Sequence, residues 1–111
     1  MDILVVRDNA GGLYQGDFDS DSDTAVHSAR YTEAQVSTVI HAAVDAAEKR
    51  NHRLTVVTKP GGVPTISRLW RDVAERIVPS TIVLDFCEID NACFQVLADP
   101  KRFDVIATPN M

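Results

Sequence analysis

The sequence is poor in the residues that mark several protein classes. Its 111 residues include only two cysteines, Cys87 and Cys93, which form neither a zinc-ligand pattern nor a Cys-x-x-Cys redox pair. Eleven Lys and Arg face 16 Asp and Glu, and this net charge of −5 argues against nucleic-acid binding. The apolar run at residues 2–7 is too short for a signal peptide or a membrane span. We therefore expect a cytoplasmic protein with two buried free thiols and neither a nucleic-acid nor a membrane partner.

What is present suits one domain, residues 1–111. The sequence is 45% apolar and 24% charged, which is typical of a globular chain. A chain of this length can bury a core without disulfides or a structural metal. It is too short for a complete two-lobed dinucleotide enzyme, and this limit constrains every functional hypothesis below.

Apolar periodicity predicts alternating strands and helices. Predicted strands cover residues 2–7, 54–58, 82–86 and 103–108, and predicted helices cover residues 33–50, 66–78 and 90–98. Thr32 and Gln35 have the spacing of a capping box, and Thr65 is predicted to cap the second long helix. This order predicts an α/β layered sandwich with a mainly parallel sheet.

A projecting β-hairpin is predicted over residues 13–31. Residues 13–15 are predicted as its first strand and residues 25–31 as its returning strand. Residues 17–24 carry alternating aspartates and are predicted to form a mobile acidic tip.

Four polar side chains stand at or just after the ends of predicted strands: Arg7, Lys59, Asp90 and Thr108. In parallel sheets, functional groups gather beyond the carboxyl ends of the strands. Arg7 ends a strand that we expect to be buried, so its guanidinium needs a partner. That partner could be a substrate carboxylate, which fits the guanidinium fork, or an aspartate such as Asp8 or Asp90.

Tyr14 and Lys59 are the candidate acid–base residues. A phenol has an unperturbed pKa of about 10, so Tyr14 would need an activating neighbour such as a lysine. In a partly buried cleft the pKa of Lys59 could fall towards neutrality, which would allow it to act as a base. The alternatives are an amphipathic hairpin tyrosine and a solvated loop lysine. Glu88 and Asp90 could help to bind a divalent cation, although two carboxylates are too few alone.

Several motifs in order give the chain a family resemblance. They are Asp-Ile-Leu-Val-Val-Arg at 2–7, Gly-Gly-Leu-Tyr-Gln-Gly at 11–16, Leu-Trp-Arg-Asp-Val at 69–73, Ile-Asp-Asn-Ala at 89–92, and Arg-Phe-Asp-Val-Ile-Ala-Thr-Pro-Asn at 102–110. In these motifs the chain resembles the middle part of the isocitrate/isopropylmalate dehydrogenase family, and especially its isopropylmalate and tartrate dehydrogenase side.

The resemblance implies roles for four residues. Arg7 looks like the arginine that grips the substrate carboxylate, and Tyr14 like the catalytic tyrosine that protonates the enol carbon after decarboxylation. Lys59 looks like the catalytic lysine that reaches into the partner subunit's site. Asp90 looks like a ligand of Mg²⁺ or Mn²⁺, also supplied across the dimer. Residues 11–31 look like a clasp arm that pairs between subunits, and helices 33–50 and 66–78 would complete the homodimer interface.

The departures from the family are equally informative. The chain lacks the family's upstream substrate arginines and its downstream segment for the nicotinamide cofactor, and Pro60-Gly61-Gly62 replaces the usual Ala-Asn after the lysine. We therefore expect a small homodimeric enzyme for non-oxidative acid–base chemistry on a small carbonyl- or carboxylate-containing substrate, by enolisation, isomerisation, cyclisation or decarboxylation.

Two alternatives remain open. One is a fragment or partner-dependent subunit of an NAD-dependent decarboxylating dehydrogenase acting on a 2-hydroxy acid. The other is a non-catalytic dimerisation module. No cofactor is expected for the chain alone, apart from the Mg²⁺ or Mn²⁺ that the resemblance allows. NAD would be required only if a partner chain supplied the missing lobe.

Overall fold

The computed structural model describes residues 1–110, and Met111 lies outside them. The strands are β1 (Leu4–Arg7), β2 (Phe18–Ser20), β3 (Ala25–His27), β4 (Arg53–Thr58), β5 (Val83–Glu88) and β6 (Val105–Thr108). The helices are α1 (Glu33–Glu48), α2 (Pro64–Ile77) and α3 (Ile89–Ala98). Within the described residues, no helix is long and apolar enough to cross a bilayer.

The main sheet is parallel and has the strand order β1-β6-β4-β5. In its register Arg7 pairs with Thr108, and Thr58 pairs with Glu88. The carboxyl ends of all four strands therefore lie at one edge of the sheet, as the sequence predicted. β2 and β3 form a separate antiparallel hairpin, so the predicted α/β sandwich with a hairpin is confirmed.

The larger hydrophobic cluster lies between the sheet and the helix pair α1 and α2. Its fully buried side chains include Val36, Ile40, Leu54 and Trp70. The apolar stripe that the periodicity predicts for α1, Val36, Ile40, Ala43 and Ala47, is buried, because apolar residues at helical spacing share one face. On the other face, α3 packs against β4 and β5 around a smaller cluster.

The N-terminus of α1 has the predicted capping box. The backbone N–H of Gln35 donates to Thr32 Oγ1 over 3.2 Å, and the backbone N–H of Thr32 donates to Gln35 Oε1 over 2.9 Å. The prediction that Thr65 caps α2 is wrong. That helix begins at Pro64, its N-cap is Val63, and no side chain caps it. Proline suits this first position because its φ is fixed and it has no N–H to satisfy.

The hairpin is shorter than predicted. Residues Leu13–Gln15 form a 3-10 turn rather than a strand. The predicted acidic tip is partly ordered, because Phe18–Ser20 pairs with Ala25–His27. The tip is a turn in which Asp21 Oδ1 accepts hydrogen bonds from the backbone N–H groups of Asp23 and Thr24.

Two burial predictions are also wrong. β1 is an edge strand, and its Val5 is 54% exposed because α3 packs mainly against β4 and β5. Cys93 is exposed on α3, whereas Cys87 is buried, and both thiols are free.

The capping box gives a stability prediction. We expect Thr32→Ala to lower the free energy of unfolding by about 1 kcal/mol, because one of the first N–H groups of α1 loses its acceptor. The measurement is urea denaturation followed by the fluorescence of Trp70. Thr38→Ala is the matched control, since Thr38 lies exposed within the same helix and its hydroxyl donates to the Ala34 carbonyl of that helix. Equal losses in both variants would contradict the capping role.

Candidate active site

A cavity of about 370 Å³ opens at the carboxyl edge of the sheet. Its walls are mostly apolar and include Leu13, Val57 and Ile89, while Lys59 is the charged residue among them. Thr108 also lines it, and its hydroxyl donates to the Val57 carbonyl over 3.0 Å, which joins β6 to β4 at this edge. An apolar cavity with few polar groups is the usual form of a small-molecule site.

Lys59 lies between two carboxylates. Its Nζ is 3.2 Å from Glu88 Oε1 and also donates to Asp90 Oδ2. The hydrogen bond to Asp90, followed by that to Glu88, raises the pKa of Lys59 above its ordinary value. This direction is opposite to the shift that the sequence suggested. Lys59 is therefore an ammonium group at neutral pH, suited to donating a proton or stabilising an oxyanion rather than to acting as a base.

The loop after Lys59 packs closely around this group. The backbone N–H groups of Gly62 and Val63 donate to the Lys59 carbonyl. A Cβ at Gly62 would lie 3.1 Å from Lys59 Cγ, and one at Gly61 would lie 3.1 Å from Glu88 Oε1. The two glycines thus allow the loop to approach the lysine stem and the Glu88 carboxylate.

Arg7 contacts an amide and not a carboxylate. Its Nη2 donates to Asn110 Oδ1, and Arg7 makes no ion pair within residues 1–110. Asp8 instead accepts the backbone N–H groups of Ala10 and Gly11. The alternative that Arg7 is neutralised by an aspartate is therefore not realised in the described chain. Its positive charge remains available to an anion.

Asn110 is a structural residue of the site that sequence reasoning missed. It is only 3% exposed, and its Nδ2 donates to the Gly11 carbonyl over 3.0 Å. Its backbone N–H donates to the Tyr31 hydroxyl, and its carbonyl accepts the Leu13 N–H over 3.0 Å. The Pro-Asn pair directly after β6 was the available signal. These three bonds fix the base of the hairpin arm against the end of β6.

Tyr14 lies in the turn beside Leu13, which lines the cavity, and its side chain is 67% exposed. Within residues 1–110 no hydrogen bond joins Tyr14 to Lys59. The preceding Gly12 has φ of 79°, and a Cβ there would lie 2.2 Å from the Asn110 carbonyl oxygen. Glycine is therefore required to set the turn that carries Tyr14.

Comparison with known proteins agrees with this architecture. The profile of the isocitrate/isopropylmalate dehydrogenase family matches residues 1–111. The chain belongs to this family. The family resemblance of the motifs is thereby confirmed.

Individual relatives show how much of the family the chain represents. The 3-isopropylmalate dehydrogenase of Bacteroides fragilis is 35% identical over 111 residues, covering 98% of this chain and 31% of the relative. The enzyme of the same name from Clostridium acetobutylicum is also 35% identical, covering all of this chain and 32% of the relative. The isocitrate dehydrogenase structure from Methylococcus capsulatus superposes with a TM-score of 0.86 at 28% identity, covering 96% of this chain and 34% of that one. The dehydrogenase-family chain thus spans about a third of its relatives' length.

The carboxylates of this dehydrogenase-family chain do not form a divalent-cation site by themselves. The Lys59 ammonium contacts both Glu88 and Asp90. Among the described residues no group of three or more His, Cys, Asp or Glu side chains is arranged to hold a metal. Octahedral Mg²⁺ needs more oxygen ligands than this pair offers, so a metal bound here would require further ligands.

Tyr31 provides a pH prediction next to Asn110. Burial raises the pKa of Tyr31 to about 12. The neighbouring Asp8 also raises this pKa, whereas the Asn110 N–H and Arg7 lower it. The folded state favours the neutral phenol, so this contribution to stability is complete below the unfolded pKa of 10.0. It is lost as the pH rises towards 12.

The chain has two tyrosines, so Tyr14→Phe leaves Tyr31 as the single phenol. We expect its ultraviolet titration to have a midpoint near 12 in the folded protein. The same variant in concentrated urea serves as the control and should titrate near 10.0. Coinciding midpoints would show that Tyr31 is not buried as described.

Proposed function

We propose that this chain is the substrate-binding and proton-transfer part of an NAD-dependent decarboxylating dehydrogenase that acts on a 2-hydroxy acid. The observation that supports it most is the placement of two cationic groups, Arg7 and Lys59, at the carboxyl edge of one parallel sheet, with Lys59 lining a mostly apolar cavity. Family membership makes this chemistry the first to test. The cofactor-binding part would come from a region that lies outside these 111 residues.

Each cationic group has a distinct task in this proposal. Arg7 carries a guanidinium without a carboxylate partner in the described chain, so it can bind a substrate carboxylate through two parallel hydrogen bonds. Lys59 is held as an ammonium by Glu88 and Asp90, so it can stabilise the enolate oxygen that forms when carbon dioxide leaves. Tyr14, exposed on its turn, would then protonate the enol carbon.

The cofactors belong to the assembled enzyme. NAD would accept the hydride from the hydroxyl-bearing carbon when bound, and the described residues would orient the acid against it. A Mg²⁺ or Mn²⁺ ion would need ligands besides Asp90, for the geometric reason given above.

A second candidate is non-oxidative acid–base chemistry by the chain alone, such as enolisation, isomerisation, cyclisation or decarboxylation. The observation that favours it is that this single chain already forms a cavity with Lys59 in its wall. An ammonium in an apolar cavity can stabilise an enolate without a redox cofactor. The two candidates differ in whether turnover requires NAD and a second polypeptide.

The activity prediction is tested by mixing the chain with part of a homologous dehydrogenase. We expect the chain to reduce NAD with a 2-hydroxy acid such as 3-isopropylmalate only when a complementary segment of a homologous dehydrogenase is added, as followed by absorbance of the reduced cofactor. Lys59→Met should lower kcat at least a hundredfold, because the oxyanion loses its cation. Lys101→Met is the control, since Lys101 is exposed in a turn at residues 100–102.

The outcomes separate the hypotheses. Substrate-dependent proton exchange by the chain alone, lost in Lys59→Met, would favour the non-oxidative candidate. If the chain neither binds the ligand nor turns it over, with or without the added segment, the non-catalytic dimerisation module is the hypothesis that remains.

We also propose a homodimer in which the hairpin arm is the clasp. Phe18 and Val26 are 79% and 59% exposed on the two hairpin strands. A two-stranded hairpin is marginally stable alone and gains from further strand pairing. The contact through helices 33–50 and 66–78 remains a prediction. Within residues 1–110 their large apolar side chains are not strongly exposed, whereas α3 exposes Phe94 and Leu97.

The dimer prediction is tested by sedimentation equilibrium. We expect Phe18→Asp to weaken self-association at least tenfold, because a charge would be buried at the clasp. Val83→Asp is the matched control, since Val83 is 63% exposed at the amino-terminal end of β5, away from the hairpin. A wild-type chain that is monomeric at all concentrations would contradict the proposal.

A further inference from the structure

A second cavity lies between α2 and the edge strand β5. Its volume is about 370 Å³, and it is separate from the Lys59 cavity although Thr58 lines both. Pro64, Ser67, Arg68 and Arg71 line it from the start of α2, and Phe86 lines it from β5. The function proposed above uses none of these five residues.

The charge around this cavity is positive, although the chain as a whole carries −5. Arg68 and Arg71 are three residues apart on α2, so both can reach the same side of the helix. Arg71 lies over the Phe86 ring, with its Cζ 4.3 Å from the ring centroid, and its Nε donates to Glu75. Arg68 makes no ion pair with any residue in the described part of the chain.

Two further features favour an anion here. Pro64 is the first residue of α2 and lines the cavity, and no side chain caps this helix, so the positive end of its dipole adjoins the cavity. Glu88 is the acidic residue in the lining, and its carboxylate lies 3.2 Å from the Lys59 ammonium. The Lys59 ammonium, which also contacts Asp90, offsets part of this negative charge.

We propose that this cavity binds the phosphate group of a small organic phosphate. Guanidinium donors suit phosphate oxygens, and two guanidinium groups line this cavity: Arg68 makes no ion pair in the described part of the chain, and Arg71 bonds Glu75 through Nε, which leaves its Nη groups as donors. The ring of Phe86 and the ring of Pro64 offer apolar surface to the organic part of the ligand. This site is independent of the proposed dehydrogenase chemistry.

The probes are phenyl phosphate, inorganic phosphate and acetate, titrated into the whole chain and followed by amide NMR shifts. We expect saturable binding with shifts at Ser67 and Phe86, tighter for phenyl phosphate than for inorganic phosphate. Arg68→Gln should weaken the binding at least tenfold, because a charge-assisted hydrogen bond is lost. Arg53→Gln is the control with the same charge change, since Arg53 begins β4 at the opposite edge of the sheet.

The proposal fails if phenyl phosphate does not saturate, or if Arg68→Gln and Arg53→Gln weaken binding equally. Equal affinity for acetate and inorganic phosphate would overturn the assignment to phosphate. Thermal unfolding of both variants checks that the fold is kept, and Arg68→Lys, which retains the charge, should lose less affinity than Arg68→Gln. Since the readout is binding, it is unaffected if the dehydrogenase activity is absent.

Discussion

The hydrogen bonds of Asn110 hold the site together. Its side chain joins Arg7 to the Gly11 carbonyl, and its backbone binds Tyr31 and Leu13. One nearly buried residue therefore ties the end of β6 to the end of β1 and to the base of the hairpin arm. Buried polar groups are costly unless they are all paired, so this arrangement is strongly specified. The orientation of the Arg7 guanidinium depends on it.

Local sequence patterns predict most of the fold because they reflect interactions between residues that are close in sequence. The stripe of α1 and its Thr32 cap follow from helical periodicity and unsatisfied N–H groups, and both can be read without knowing the tertiary structure. The turn at residues 13–15 could not be predicted in this way, since Asn110, distant in sequence, provides an acceptor for it. The exposure of Val5 and Cys93 likewise depends on which strands α3 covers.

In the site, too, some features follow from local sequence patterns and others depend on the tertiary structure. The placement of Arg7, Lys59 and Asp90 at one edge follows from the parallel arrangement of strands, so the sequence was sufficient to predict it. The protonation of Lys59 depends on two carboxylates that β5 and α3 bring to it, and its pKa consequently moves in the direction opposite to that predicted. The cavity that contains Arg68 and Arg71 requires the packing of α2 over Phe86, which no motif records.

The pairing of the first strand with the last has a consequence for how the protein folds. Leu4 pairs with Val105, so β1 cannot pair with β6 until synthesis has passed residue 105. During synthesis β4 and β5 can pair early, because a single helix connects them. Closing the much longer β1–β6 loop costs chain entropy before any stabilising contact between the two strands has formed, and this slows folding. The arginine of the site is thus among the last of the described groups to reach its native position, and the nascent chain exposes the β6-facing edge of β4 until β6 pairs with it.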